Sequence, residues 1–585
     1  MRKAVLVIFG KEIPIKKKSW WQQFDVIVAS TQFKSVIDSY RLLFVDIDSL
    51  IETGSIYEAN AFLEELSLLK LPNGSLLAKS FTYKGYELWW THYNSLFLYF
   101  CLPYTQYKKL LNYLKNFSNV SLYHPSYGDL FSCYLRAYQR RVIVARELSF
   151  QSPAFLPFGV LLQLVITLLC LPILMVRKYS VLVFTGDKFE KTQDYDFRMK
   201  FVYKDLRQKN ISFVEFIRSR ESWWVVLQHA FTRKRPVIYS EAVAFVGRFC
   251  SIISGGRRWA KHKFGPNVFA SETNPEARFK LLVATQYLLG VHDDIWAIRI
   301  MRWILRAIKI KASFITAALE RNFNTVLGCK LNNIPIVGIL HGIASQHYNV
   351  YDFMPEFDGE KNLSVDKYGL WSEWWKEFYF KNSKTYRPEQ LYISGPMRPL
   401  EKDTENFEDP IIRRSGPTKV LFISEQLAAL NEAMSYLEEL IKNQTFDLSI
   451  KFRPSGDGFE EWLLENQPQL IEKNKIRILR GNIQDAIKEC DVVVGSHSTA
   501  VLEALFHFKI PIFFNTQKWG DCFKLKDYGD NHPFFAENPQ ELIEKIKNTP
   551  LISGDGLRDL RERYFGDPYK NGSRWVVEQL EEYLG

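Results

Sequence analysis

Asp491–Phe514, DVVVGSHSTAVLEALFHFKIPIFF, decides the fold. Val492–Val494 reads as a buried strand, Gly495–Ser498 as a tight turn of small residues, and Thr499 as the opening of a helix. Ile510–Phe514 reads as the strand that follows. Two apolar strands joined through a helix make a βαβ unit, and such units build parallel sheets. The turn is also a ready anion site. Unpaired backbone N–H groups and the positive end of the helix dipole point at one spot, where Ser496, Ser498 and Thr499 add hydroxyl donors. Glu503 lies one helical turn beyond Thr499 on the same face, placed to reach the ribose of a nucleotide. An ordinary βαβ unit with a serine N-cap has the same pattern, so this segment sets architecture before chemistry. His497, read as solvent-facing, stays outside the site.

The same alternation extends upstream to Lys419. Strands are expected at Val420–Ile423, Leu448–Phe452 and Ile476–Leu479, with helices at 427–442, 459–473 and 483–488 between them, and a closing helix at Ser573–Leu584. Glu401–Pro417 is charged and contains two prolines and a glycine, which marks a linker. Before it, strands at Val181–Phe184, Ile211–Ile217, Ser313–Ala318, Ile334–Leu340 and Leu391–Ser394 make a second doubly wound pattern. The expected organisation is α/β throughout. Residues 1–150 form a small N-terminal α/β domain, 151–178 an apolar membrane-associating segment, and 179–400 a Rossmann-like domain. Residues 401–417 form the linker and 418–585 a second Rossmann-like domain. Two such domains facing each other would frame a cleft at the carboxyl ends of their strands.

A chain of 585 residues is too long for one core, and 47% hydrophobic residues fit a folded protein. The net charge of +11 suits a partner that carries phosphates. Basic residues are dispersed and no nucleic-acid module is visible, so nucleic acid is not an expected partner. Seven cysteines stand singly with no CxxC pair, which argues against a disulfide framework and fits a reducing cytosol. Ala154–Val176 runs 23 residues without a charge, flanked by Arg146 and by Arg177 and Lys178. That length can span a bilayer. Pro157, Pro172 and Gln163, and a cytosolic character on both sides, favour a monotopic or re-entrant anchor at the inner face of the cell membrane.

Four clusters follow expected strands. Glu320, with Arg321 and Asn322, follows SFITA and is placed as a general base. His341-Gly342 follows IPIVGIL, where glycine permits close approach of a ligand and histidine binds an anion or moves a proton. Lys451-Phe452-Arg453-Pro454 follows DLSI; Arg453 offers a planar fork for phosphate and Pro454 stiffens its loop. The fourth is the opening turn, Gly495–Thr499. Glu425 completes the ring of loops, and Asp187 and Asp194 are candidates to face an acceptor. The sequence has no GxxxxGK[ST], GxGxxG or HExxH and no Cys/His cluster, so no P-loop, metal or other cofactor site is expected. The pair Asp293-Asp294 reads as a solvated helical face.

Taken together, Arg453-Pro454, GSHSTAVLEA (Gly495–Ala504) and ALERNFNTVLGCKLNNIPIVGILHG resemble the GT-B glycosyltransferases of bacterial surface polysaccharides. Capsule sialyltransferase and Kdo transferase types, and CDP-glycerol glycerophosphotransferases, are similar over about residues 180–585. The resemblance implies a GT-B fold, with 179–400 the acceptor-side and 418–585 the nucleotide-sugar donor-binding domain, and a metal-independent transfer of a CMP-activated acid sugar to a glycan or lipid-linked acceptor, in capsule or lipopolysaccharide synthesis. In that reading Glu320 takes the acceptor proton, His341 contacts the donor, and Arg453, Ser496, Ser498 and Thr499 hold the leaving phosphate. Many relatives have histidine where this chain has Arg453, which cannot act as an acid because its pKa is too high. A CDP-glycerol or CDP-ribitol phosphotransferase, a GT-B nucleotide-sugar epimerase and a non-catalytic membrane scaffold are the alternative readings.

Overall fold

The computed structural model describes residues 4–8, 13, 17–52, 55–71, 74–123, 142–144, 158–186, 189–190, 195–196, 199–219, 221–256, 258–259, 275–316, 323–342, 364–398, 416–424, 430–443, 445–453, 459–466, 468, 476–517, 520–528, 533–549, 552 and 554–585. The chain forms two compact units, each assembled from separated stretches. One comprises Met1–Glu58, Pro103–Ser149 and Leu400–Glu562; the other comprises Ala59–Leu102, Phe150–Pro399 and Arg563–Gly585.

The first unit holds two parallel sheets. Its N-terminal sheet contains β1 (Ala4–Ile8), β2 (Val26–Ala29), β3 (Leu43–Asp46), β4 (Asn119–Tyr123) and β5 (Val142–Val144), in the order β3-β2-β1-β4-β5. All four pairings are parallel. The apolar runs that the sequence offers as strands at Ala4–Phe9, Phe24–Ala29 and Leu42–Asp46 match the first three; β4 and β5 were not expected. Leu6, Ile8, Ile27 and Ala29 pack with Trp21, Phe24 and Ile37 on one face of this sheet.

The second unit holds the middle sheet: β6 (Val181–Gly186), β7 (Phe213–Arg218), β8 (Val237–Tyr239), β9 (Ala312–Thr316), β10 (Ile336–Ile339), β11 (Lys367–Leu370) and β12 (Leu391–Ile393). Its order is β8-β7-β6-β9-β10-β11-β12, parallel throughout. The first strand lies inside and the chain winds outward in both directions from it. Leu182 of β6 sits between Val214 and Ser313. Strands such as VLVF and IVGI read as continuous apolar runs because helices cover both faces of a parallel sheet. Five helices of this unit matter below: α1 (Phe158–Val176), α2 (Lys200–Gln208), α3 (Trp223–Thr232), α4 (Ser240–Ile253) and α5 (Pro275–Ile308).

The last sheet, again in the first unit, contains β13 (Thr418–Ile423), β14 (Phe446–Lys451), β15 (Arg477–Ile478), β16 (Val492–Gly495), β17 (Ile510–Phe514) and β18 (Phe535–Ala536). Its order is β15-β14-β13-β16-β17-β18. Val420 of β13 pairs with Leu448 on one side and Val492 on the other. Helices α6 (Leu430–Lys442), α7 (Ile483–Lys488) and α8 (Thr499–Leu502) belong to its connections. The protein is thus α/β, with two Rossmann-like domains and an N-terminal α/β region, as the sequence implies.

The strands β8, β11 and β18 were not expected from the sequence, and one expected element is placed differently. The C-terminal helix α9 (Gly572–Leu584) was read as closing the last domain, yet it packs on the middle sheet. Val576, Val577 and Leu580 enter a core with Val183, Phe314, Val337 and Leu206. The start of the helix is fixed by backbone: Gly572 N–H donates to Pro396 O (2.9 Å) and Ser573 Oγ–H to Met397 O (2.6 Å). A Cβ at Gly572 would lie 2.4 Å from Gly395 O, so only glycine permits this approach.

Candidate functional site

In the last sheet the chain leaves β13 toward β14 and β15, then returns to the other side of β13 to make β16, β17 and β18. The loops after β13 and β16 therefore diverge, and a crevice opens at the carboxyl ends of the strands. Three loop segments meet there: Ser424 after β13, Lys451–Arg453 at the end of β14, and Gly495–Ser498 at the end of β16. Hydrogen bonds join the first two. Ser424 N–H donates to Lys451 O (3.2 Å), and Arg453 N–H donates to Ser424 Oγ (3.1 Å). The β14 and β16 ends lie two strand spacings apart, roughly 10 Å, a gap that a long arginine side chain can bridge.

The turn itself is tightly built. A Cβ at Gly495 would come within 2.6 Å of Val501 Cγ2 and 3.2 Å of Ile423 O, so the strand can turn this closely only with glycine. Ser498 N–H donates to Ser496 O (2.8 Å), and the Ser498 hydroxyl accepts from Ala500 N–H (3.3 Å) as the N-cap of α8. That helix is one turn long and passes into a 3-10 turn, Glu503–His507. It carries a smaller dipole than the longer helix expected from the sequence, which leaves more of the anion chemistry to the turn and its hydroxyls. Ser496 is 1% exposed and its Oγ has no hydrogen-bond partner among the described residues. A buried hydroxyl left so costs about 1–3 kcal/mol, which a phosphate oxygen would recover.

Charge is placed alongside. Lys451 is buried at the end of β14. Burial first, and the Arg480 guanidinium second, hold its ammonium below the usual lysine pKa. Arg480 is itself occupied by a two-pronged pair with Glu460. Arg453, next in register, is exposed beyond the sheet.

Two contacts change the reading of individual residues. Glu503 accepts from Gln484 Nε2 (2.5 Å), and Gln484 Oε1 lies 2.8 Å from His507 Nε2. The carboxylate is thus held by a Glu503–Gln484–His507 chain beneath the turn. His497, read as solvent-facing, is buried. Its Nδ1 lies 2.7 Å from Cys522 Sγ and its ring stacks on Phe523. Burial pushes the Cys522 thiol well up, so its sulfur meets His497 as a thiol and not a thiolate. Ser424, Gln484 and Cys522 were missed from sequence because each meets its partner only through the fold.

In the middle sheet the corresponding switch lies between β6 and β9. Thr185 and Gly186 end β6. His341 follows β10 at a fixed position: Leu340 N–H donates to Gly369 O (2.8 Å) and Trp371 Nε1–H to Leu340 O (2.8 Å). Glu320, Glu425, Pro454, Asp187 and Asp194 lie outside the described residues. The pair Asp293-Asp294 is not a solvated face. Asp294 sits 2.5 Å from His92 Nε2 and accepts from Asn324 Nδ2 (2.9 Å). Burial raises the Asp293 pKa, while a hydrogen bond from Ser251 opposes that shift. Among the described residues no group of three or more potential metal ligands occurs.

No protein-family model matches the chain, and no curated protein matches it. Similar solved structures exist. The S. aureus MnaA–UDP co-structure is 12% identical, covers 69% of this chain and 97% of its own, and has a TM-score of 0.40. The Neisseria meningitidis UDP-GlcNAc 2-epimerase bound to UDP-GlcNAc is 13% identical over 69% and 100%, with a TM-score of 0.40. Acinetobacter baumannii MurG is 11% identical over 69% and 99%, with a TM-score of 0.40. At these values the likenesses carry no argument about chemistry, which rests on the residues.

Proposed function

We propose that the chain is a GT-B-type glycosyltransferase of bacterial surface-polysaccharide synthesis whose last sheet holds the donor nucleotide. One observation carries this reading. At the switch point of that sheet, the Gly495–Ser498 turn, with the buried Ser496 hydroxyl that has no partner among the described residues, stands beside the hydrogen-bonded Ser424–Arg453 loop pair. Hydroxyls, turn N–H groups and two cations at the carboxyl end of a doubly wound sheet suit a phosphate that is leaving with growing charge.

The donor we favour is a CMP-activated acid sugar of the nonulosonate or Kdo class. Its leaving group carries one phosphate, which Arg453 and Lys451 can neutralise. Glu320 would take the proton from the acceptor hydroxyl as that oxygen forms the new glycosidic bond and the bond to the CMP phosphate breaks. His341 would contact the donor carboxylate or phosphate. Arg453 would stabilise the departing phosphate by charge alone, since a guanidinium does not give up its proton at neutral pH. The reading needs no resident cofactor.

A thermal-shift panel of CMP, CDP, UDP and GDP tests it. A nucleotide at one hundred times its Kd stabilises by about 2.7 kcal/mol. A rise with CMP above the other three supports the donor class; equal rises, or a rise with UDP or GDP alone, contradict it. CMP released from a CMP-sugar only when a glycan acceptor is present supports transfer. Release from a CDP-polyol instead would make the enzyme a polyol-phosphate transferase, and sugar conversion without acceptor would make it an epimerase.

A further inference from the structure

We infer that α1, with α3 and α4 beside it, lies in the plane of an anionic lipid surface, and that a basic pocket at the C-terminal end of α1 takes a lipid-headgroup phosphate. This inference stands independently of the sugar-transfer reading.

Helix α1 is turned inside out for a protein in water. Its most deeply buried side chains include its two hydrogen-bonding ones, Gln163 (2% exposed) and Thr167 (3%). Gln163 Nε2–H donates to Ser219 O (3.4 Å). Thr167 Oγ1 accepts from Tyr239 N–H (3.1 Å), a backbone donor of the edge strand β8. The helix thereby covers a sheet edge and satisfies one of its N–H groups. Its opposite face presents Leu161, Val165, Leu168, Leu169 (68% exposed), Ile173 and Val176 (84%). A helix apolar on its outward face is a helix meant for an apolar medium. Helix α3 packs against α1, with Phe158 edge-on to Trp223 at 5.4 Å, and adds exposed Trp223, Trp224 and Phe231. Helix α4 also packs on α1 and adds exposed Phe249, Ile252 and Ile253. Aromatic side chains of this kind sit well at a membrane–water interface.

The polar contacts also fix the orientation. Nineteen helical residues reach about 28 Å, enough to cross a bilayer. A crossing would draw β8 and the Arg233–Glu215–Arg235 group into hydrocarbon. Glu215 is fully buried and bonded to Arg233 (2.9 Å) and Arg235 (3.3 Å). An in-plane helix immerses only its outward face and leaves the sheet in water.

Charge says which surface is met. A pocket of about 610 Å³ opens where α1 ends, lined by Pro172, Arg177, Arg233, Lys234 and Arg235 among others. Four cations line it, and Glu215 offsets part of their charge. Arg177 and Lys234 are exposed. A basic pocket at the rim of an apolar face complements a membrane whose apolar interior is edged by phosphates.

Flotation of the full chain with preformed vesicles tests this. We expect binding to phosphatidylglycerol vesicles and much weaker binding to phosphatidylcholine vesicles. Leu168→Glu with Leu169→Glu should abolish flotation while the far-UV spectrum and melting temperature hold, since both positions are exposed. Arg177→Gln and Lys234→Gln should each weaken binding to phosphatidylglycerol about fivefold and leave the weak phosphatidylcholine binding unchanged. Equal binding to both lipids, unmoved by the two charge variants, would overturn the phosphate pocket. No flotation, with a dimer that Leu168→Glu dissociates, would overturn the lipid assignment in favour of a second copy of the chain.

Discussion

The middle and last sheets are wound alike and finished differently. In each the first strand lies inside and the order reverses beside it, at β6/β9 and at β13/β16. The last sheet spends its switch point on hydroxyls, a glycine turn and cations. The middle sheet carries its distinctive chemistry at the far edge, where β8 is covered by a helix whose apolar side faces out. In the readings proposed above, the same winding would support an anion site in one domain and a docking face in the other. Topology locates where a ligand can sit, and the residues at strand ends and edges decide what sits there.

Substitutions that affect one sheet and spare the other sharpen this contrast. The largest expected loss is in the middle sheet. Glu215→Ala removes the carboxylate between two guanidiniums and the Tyr203 hydroxyl (2.7 Å) and should destabilise its unit by about 3–5 kcal/mol in chemical denaturation. The nucleotide-dependent shift of the last sheet's own transition should persist; its disappearance would mean that the two sheets are not separable. Next, Arg453→Ala should lower turnover about 10²- to 10³-fold with little change in melting temperature, because the side chain is exposed. Gly495→Ala should cost about 1–3 kcal/mol by overpacking against Val501 and Ile423, and weaken nucleotide binding as well. A smaller effect follows from Lys451. Its folded pKa is lowered, so the folded state holds fewer protons and this group's contribution to stability grows as pH rises from that lowered value toward 10.5. Anion affinity has the opposite sign and should fall over the same alkaline window. Lys451→Met should flatten that fall in a titration of affinity against pH.

Much of this was legible in the sequence for a physical reason. Strands buried on both faces read as apolar runs between turn residues, so five strands of the middle sheet and five of the last stood out, and Gly495–Thr499 with them; the short β8, β11 and β18 did not. The partners did not. Ser424 meets Arg453 across 29 positions, His497 meets Cys522 across 25, and Gln484 meets Glu503 across 19, separations that carry no local signal. The apolar run before Arg177 was visible, but not its facing. Gln163 looked like a flaw in a membrane segment and is instead one of its anchors to the protein. Helix α9 was assigned to the last domain because it follows that domain in the chain. Its Val576, Val577 and Leu580 stripe fits the middle sheet, and composition alone does not choose between two apolar sheets.

The central claim is that the last sheet binds the phosphate of a CMP donor through its switch-point loops. Calorimetric titration of CMP into the full chain and into the Arg453→Ala variant tests it most directly. A charged hydrogen bond to phosphate contributes about 1.5–3 kcal/mol, so CMP should bind the native chain and lose roughly 10- to 100-fold in affinity in the variant. CMP that fails to bind the native chain, or that binds both proteins equally, would contradict the account.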